Sequence, residues 1–280
     1  MVSVIIAAHN EESVIADCLE ALDREDLTLQ IIVSANGCTD ATAEVARSWN
    51  ATVVERAEAG KTGALNAAEK AATAFPRVYL DADIVPPPGA IATLTGALDE
   101  QTGILATVPV RRFDIAGRPW AVRAYYRINE RLPVFRNGLF GRGLIVLSEA
   151  GRARFGEFPD MIADDLFLDA QFSAEEKLEV RGVEIFVEAP RTTVDLVNRL
   201  VRVRRGNAQL RRAQATRGGV RRSDRWSWLR DVVLRDLRLA PSAVAYVAIT
   251  LIAGFRARRD PNGAWGRDAS TRTPTPSHDE

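Results

Sequence analysis

Cysteine is scarce in this chain: Cys18 and Cys38 are the only two among 280 residues. They form no C-x-x-C pair, which argues against a disulfide framework and against a cysteine-based zinc site. The amino end lacks the basic segment and small-residue cleavage site of a secretory signal, because Met1-Val2-Ser3-Val4-Ile5-Ile6 runs directly into an apolar strand pattern. The expected compartment is therefore the cytosol. Glycine is missing from the turn after that strand, Ala8-His9-Asn10-Glu11-Glu12. A dinucleotide fold needs G-x-G-x-x-G there to bring a helix N-terminus to a pyrophosphate. Gly60-Lys61-Thr62 is not a P-loop either, since the glycine required five positions earlier is Glu55. The uncharged stretch 241–255 falls short of the about 20 residues of a spanning helix.

What is present is ordinary globular material, 46% hydrophobic and 26% charged, enough for one large α/β domain or two small ones. The formal net charge of zero hides an uneven distribution. Residues 1–100 carry 6 basic and 16 acidic side chains, whereas residues 199–259 carry 16 arginines against 3 aspartates. Such a split points to an anionic partner for the C-terminal part, either a phosphate-bearing substrate or a lipid surface. Nucleic acid is disfavoured, because Trp226 and Trp228 stand outside the arginine cluster rather than interleaved with it.

Strand and helix patterns alternate over the first hundred residues: strands at Val2–Ala8, Ile31–Ser34, Thr52–Glu55 and Val78–Leu80, with helices near Ser13–Leu22, Ala41–Trp49 and Gly63–Ala74. The apolar runs are short and uninterrupted, as in strands covered on both faces, so the fold class is α/β with a mostly parallel sheet flanked by helices. Further strands are expected near Ile104–Pro109, Gly143–Leu147 and Glu184–Glu188, with helices near Trp120–Leu132 and Asp164–Glu175. The division expected is a catalytic domain over 1–198, an Arg-rich helical region over 199–259 and a flexible tail over 260–280.

Ligands of such sheets bind beyond the carboxyl ends of the strands. His9-Asn10-Glu11-Glu12, Asn36-Gly37 and Asp81-Ala82-Asp83 each follow a strand directly, so all three are expected to converge on one crevice. Asp81 and Asp83 sit two apart where an extended run ends, which puts their side chains on one face of the chain. Two carboxylates on one side can hold Mg²⁺ or Mn²⁺, leaving positions open for phosphate oxygens. Spacing alone equally allows one aspartate to cap the turn at Pro86-Pro87-Pro88 and the other to be merely solvated.

Taken in order, these segments resemble family 2 glycosyltransferases of the GT-A fold over residues 2–215. Val4-Ile5-Ile6-Ala7-Ala8-His9-Asn10-Glu11-Glu12 is similar to the family's opening P-x-Y-N-E, and Ser34-Ala35-Asn36-Gly37-Cys38-Thr39-Asp40 to its D-D-G-S-T-D turn. Lys61 and Asn66 fall in its basic and polar stretch, Asp81-Ala82-Asp83 matches its metal motif, and Asp164-Asp165 its E-D motif. Ala7, His9 and Asn36 depart from the proline, tyrosine and aspartate of the pattern. The resemblance implies an inverting transfer of a sugar from a UDP- or GDP-linked donor to an acceptor hydroxyl. It puts Ala7, His9, Glu11 and Asn36 around the base and ribose and Asp81, Ala82 and Asp83 at ribose and metal, and it counts Lys61 among the donor-binding residues. The cluster Arg202, Arg204 and Arg205 lies where related enzymes carry a basic motif at the donor diphosphate, a solvated basic helix face being the other reading. The resemblance also makes the Asp164-Asp165 pair the source of the general base, with Asp165 preferred. N-capping of the next helix is the other reading of that pair. The glycines of Gly138-Leu139-Phe140-Gly141-Arg142-Gly143 are expected to let backbone approach a sugar, and Arg142 is readable as surface charge.

The apolar stretch 241–255, bracketed by arginines and preceded by tryptophans, suits the headgroup boundary of an anionic leaflet at the inner face of the cell membrane. An ordinary buried helix is the alternative. On the surface reading, the acceptor is lipid-linked or a cell-envelope polysaccharide. Two other function classes stay open: a sugar-phosphate nucleotidyltransferase of similar fold, and a non-catalytic membrane-associated binding protein.

Overall fold

Successive residues of the first strand divide between two hydrophobic clusters: Val2, Val4, Ile6 and Ala8 join one, Ile5 the other. That is why the strand is apolar at nearly every position, and it dictates helices on both sides of the sheet. The computed structural model describes residues 1–100, 102–136, 138–161, 163–214 and 224–259. The tail expected at 260–280 lies outside the described residues. The elements are β1 (Val2–Ala8), α1 (Ile15–Asp23), β2 (Leu29–Asn36), α2 (Thr42–Ser48), β3 (Thr52–Arg56), α3 (Lys61–Glu69), β4 (Arg77–Asp81) and α4 (Ala90–Glu100). There follow β5 (Ala106–Asp114), α5 (Trp120–Asn129), β6 (Leu144–Leu147), α6 (Glu149–Arg152), α7 (Asp164–Asp169), β7 (Lys177–Glu188), α8 (Thr193–Gln214) and α9 (Ala240–Arg259).

The sheet runs in the order β3-β2-β1-β4-β6-β5-β7. The first four of these strands are mutually parallel, β6 is antiparallel to both its neighbours, and β7 returns parallel to β5. Because β6 runs backwards, its beginning lies at the carboxyl end of β4, with Leu144 opposite Leu80. The loop before β6 is thereby delivered to the edge where β1, β2 and β4 end, and the Asp81 N–H donates to the Gly143 carbonyl at 2.8 Å.

Several elements differ from the sequence pattern for identifiable reasons. Helix α4 has no counterpart in that pattern, which offers only the Pro86-Pro87-Pro88-Gly89 turn. Its first turn is capped from far away by the buried Glu25 carboxylate, which accepts from the Ile91 N–H at 3.1 Å and the Ala92 N–H at 3.4 Å. Strands β5 and β7 pair well beyond the expected Ile104–Pro109 and Glu184–Glu188, with a register shift at Pro109/Val110. Proline donates no ladder hydrogen bond, so the pairing resumes one irregularity later. Helix α7 stops at Asp169 rather than Glu175, where the Lys177 ammonium holds the Asp169 carbonyl at 3.1 Å and its carboxylate at 2.8 Å. A cation at a helix carboxyl end satisfies carbonyls that lack intrahelical partners.

The C-terminal helices pack on the sheet domain through α5. Val122, Tyr125 and Tyr126 of α5 share a cluster with Leu196, Val197 and Val201 of α8 and Ile249 and Ala253 of α9. The Tyr125 and Tyr246 rings stack at 5.1 Å, and the Arg204 guanidinium donates to the Thr250 carbonyl at 3.1 Å. Helix α8 runs unbroken through 198/199. Residues Leu237–Arg259 form a helical stretch of 23 residues that contains an 18-residue window of mean hydropathy 1.6, 33% of that window buried. By length and composition this stretch is enough to cross a membrane, a correction to the expectation from 241–255 alone. The helix continues through the flanking arginines, which the uncharged run leaves out.

Candidate active site

Lys61, in the first turn of α3, lies between two acidic groups. Its ammonium is 2.7 Å from Asp81 Oδ1 at the end of β4 and 3.1 Å from Asp164 Oδ2 at the start of α7. Burial lowers the ammonium's pKa, but Asp164, and after it Asp81, outweigh that effect and hold it well above the ordinary value. Asp164 is itself buried, and burial, with repulsion from Asp165 and Asp81, raises its carboxyl to about 6 against the pull of Lys61. A single cation thus joins two acidic motifs separated by more than eighty positions in the sequence.

Asp81 and Asp83 do not belong to one extended run. The strand ends at Asp81 and the chain turns, the Ile84 N–H closing onto the Asp81 carbonyl at 3.1 Å. Ala82 is buried within this turn and Asp83 is exposed. Both carboxylates still act on the same point: burial chiefly, then Asp83, then Asp81, drive the pKa of the Cys18 thiol far up. Gly143 has φ +71°, and a Cβ there would lie 2.6 Å from Ile84 Cγ1 and 3.4 Å from Asp81 Oδ2. Its lack of a side chain therefore serves the close packing of the acidic turn.

Asn36 at the end of β2 is buried and fully used by backbone. Its amide donates to the Ala8 carbonyl at 2.6 Å, and its Oδ1 accepts from the Gly60 N–H at 2.8 Å. This clamp ties the end of β1 to the start of α3, so the aspartate of the family pattern, which cannot donate, would not serve here. His9 Nδ1 lies 2.6 Å from the Asn36 carbonyl, and Ala7 stands level with Asp81 across the β1–β4 pair. Glu11 is buried, its N–H donates to Thr42 Oγ1 at 2.8 Å, and its carbonyl accepts from Val14 and Ile15 at the start of α1. Asn36→Asp should destabilise the fold by about 1–3 kcal/mol, because a buried carboxylate would replace the amide donor facing the Ala8 carbonyl. Chemical denaturation checks this, and an unchanged midpoint would dismiss the clamp.

Asp165 is half-buried, and both its carboxylate oxygens accept backbone N–H groups: Oδ1 from Leu166 at 2.7 Å and Oδ2 from Gly141 at 2.7 Å. It therefore satisfies one free N–H in the first turn of α7, whose N-cap is Ala163, and pins the loop before β6 at once. Arg142 of that loop is buried, not surface charge. It donates to the carbonyls of Gly138 at 3.1 Å, Pro109 at 2.9 Å and Phe135, and pairs with Glu179. Arg111, which the sequence pattern does not single out, donates to the Gly141 carbonyl at 3.0 Å and packs 4.4 Å from the ring centres of both Phe113 and Phe135. Burial first, and then Arg142, lower its pKa to about 10. Its partner is thirty residues away, so no local spacing announces it. Arg202 and Arg205 are part-exposed on α8, which also touches α7, while the intervening Arg204 is turned to α9.

The residues present suit a hard divalent cation. Asp81 and Asp83 offer only oxygen donors on one short turn, and the Lys61 ammonium shows that the spot beside Asp81 attracts positive charge. Among the described residues no group of three His, Cys, Asp or Glu side chains is arranged to hold a metal. A Mg²⁺ or Mn²⁺ site of two carboxylates is completed by substrate oxygens and water.

Residues 3–152, more than half of the chain, match the family model described as glycosyl transferase family 2. The chain belongs to this family. The family 2 chain is 43% identical over 53 residues to 4,4'-diaponeurosporenoate glycosyltransferase of Staphylococcus aureus (strain USA300), a match that spans 19% of this chain and 14% of that protein. Among solved structures it is similar to the mannosyltransferase PcManGT of Pyrobaculum calidifontis, determined in complex with GDP-Man and Mn²⁺. That likeness has a TM-score of 0.60 and 22% identity, covering 96% of this chain and 77% of the other. It is also similar to glucosyl-3-phosphoglycerate synthase of Mycobacterium tuberculosis in complex with phosphoglyceric acid, with a TM-score of 0.55 and 21% identity over 75% of this chain and 78% of that one. These two likenesses show a shared fold.

Proposed function

We propose that the chain transfers a sugar, with inversion, from a UDP- or GDP-linked donor to an acceptor hydroxyl. The observation that carries this reading is the Lys61 bridge, because it puts the acidic turn at the end of β4 and the acidic pair of α7 in one crevice. The loops after β1 and β2 would enclose base and ribose, with Ala7, His9 and Glu11 on one side and Asn36 holding the walls together. Asp81 and Asp83 would hold Mg²⁺ or Mn²⁺, which when bound supplies a Lewis acid for the diphosphate oxygens. Lys61, released from Asp81, would turn to the diphosphate, and Arg202 and Arg205 would add positive charge from α8. PcManGT was solved with GDP-Man and Mn²⁺, which supports this donor class and this choice of ion.

Asp165 takes the role of base. Two backbone donors hold its carboxylate in place, and it is more accessible than Asp164. The acceptor oxygen attacks the anomeric carbon while its proton passes to Asp165, and the bond from that carbon to the diphosphate oxygen breaks on the opposite face. Asp164 stays buried as the anchor of Lys61. Helix α9, with exposed Val244, Leu251, Ile252 and Phe255 opposite its packed face, supports attachment to an anionic membrane surface and an acceptor carried there. A thermal-shift screen of UDP- and GDP-sugars tests the reading. One donor should stabilise the protein in the presence of Mn²⁺, by about 2.7 kcal/mol at a hundredfold excess over Kd. No shift with any donor would reject it.

A further inference from the structure

A cleft of about 380 Å³ opens between the end of α5 and the segment leading into α9, lined by Glu130, Arg131, Arg136, Asp231, Arg235 and Asp236 among others. Its acidic groups already have partners. Glu130 accepts from the Phe113 N–H at 3.1 Å, Asp231 is gripped by the Arg230 guanidinium at 2.9 and 3.0 Å, and Asp236 accepts from the Arg238 N–H at 3.2 Å. The Arg136 and Arg235 guanidiniums make no hydrogen bond or salt bridge with the described residues, and the Arg136 backbone N–H donates to the Pro133 carbonyl at 3.0 Å. Both line the cleft together with Asp231, whose carboxyl is lowered first by its bond to Arg230 and further by Arg235 and Arg136. Two guanidinium forks in one cleft, neither hydrogen-bonded to a described residue, match a phosphate group, whose oxygens take paired N–H donors.

The surroundings of the cleft are apolar and lead outward. Leu234 and Leu237 beside it are exposed, and from there α9 presents Val244, Ala248, Leu251, Ile252 and Phe255 to solvent at intervals of three and four residues. The opposite face of α9 is buried against α5 and α8, so this stripe is a second apolar face. Arginines frame it at both ends, Arg230, Arg235 and Arg238 before and Arg256, Arg258 and Arg259 after, and Trp226 is exposed near the first group. An apolar stripe between cationic ends with an aromatic residue at its rim is complementary to an anionic bilayer surface.

The cleft also adjoins the catalytic loop. Phe135, next to Arg136, gives its carbonyl to Arg142 and its ring to Arg111; Arg111 holds the Gly141 carbonyl, and the Gly141 N–H holds Asp165. We infer that this cleft binds the phosphate of a lipid-borne acceptor, with Arg136 and Arg235 on the phosphate and the lipid chain against the outer stripe of α9. This names the acceptor class for the transferase reading above and rests on it.

Flotation of the full-length protein with phosphatidylcholine vesicles doped with dodecyl phosphate, against vesicles doped with phosphatidylserine, tests the inference. R136A/R235A should lose about tenfold in affinity for the dodecyl phosphate vesicles and change little on phosphatidylserine, with its melting temperature unchanged. R136K/R235K, which keeps the charge without the paired donors, should fall between. Loss on both vesicles alike, or on neither, overturns the phosphate site. Competition by soluble glycerol phosphate as effective as that of the vesicles overturns the lipid assignment. Donor binding with Mn²⁺ should be the same in wild type and R136A/R235A. A wild type that binds no donor yet prefers dodecyl phosphate would sink the transferase reading and leave the phosphate site standing.

Discussion

Asp165→Asn should lower the turnover number by about a thousandfold, the middle of the range for loss of a general base, while leaving the donor dissociation constant unchanged. The substitution preserves shape and removes the basic oxygen pair, at the cost of one of the two backbone hydrogen bonds from Gly141 and Leu166. Turnover at saturating donor, with calorimetric donor binding alongside, separates the two effects. Asp164→Asn is the informative control. Its carboxyl, raised to about 6, faces Lys61 rather than the loop of Gly141, so its loss should weaken donor affinity through Lys61 more than it slows the chemical step. An active Asp165→Asn beside an inactive Asp164→Asn would exchange the two assignments.

Asp83→Ala should remove the dependence of donor binding on Mn²⁺, a loss of about a hundredfold or more, since the ion is worth several kcal/mol against phosphate charge. Asp83 is exposed on its turn, so the fold should hold within about 0.5 kcal/mol of wild type, and reduced binding cannot be put down to unfolding. Calorimetry with and without Mn²⁺ should give equal, weak affinities for the variant and a large difference for the wild type. An equal Mn²⁺ effect in both proteins would take the metal role away from this turn.

Much of the site is legible as local order along the chain. His9 stands just after a strand and Asn36 and Asp81 at the last residue of one, and parallel strands bring their carboxyl ends to one edge, so these residues gather there whatever the details of packing. The Asp-Asp pair before an apolar helix and the acidic turn are visible in the same way. What those side chains do within the crevice is not visible locally. Asn36 reads as a ligand-facing group, yet its hydrogen bonds span 28 and 24 positions to Ala8 and Gly60. Arg142 reads as surface charge, yet it is the buried staple of its loop. Arg111 draws no notice until the reversed β6 brings Gly141 beside it.

The sequence by itself determined the α/β class, the family and the strand ends that carry polar residues, because side-chain periodicity and short motifs are properties of neighbours in the chain. Only the tertiary structure decided that Lys61 spans Asp81 and Asp164, that Glu25 caps α4, and that α9 keeps one apolar face packed and one exposed. Each of these joins groups tens of residues apart, and their interaction energies depend on distance through space, which no one-dimensional spacing encodes.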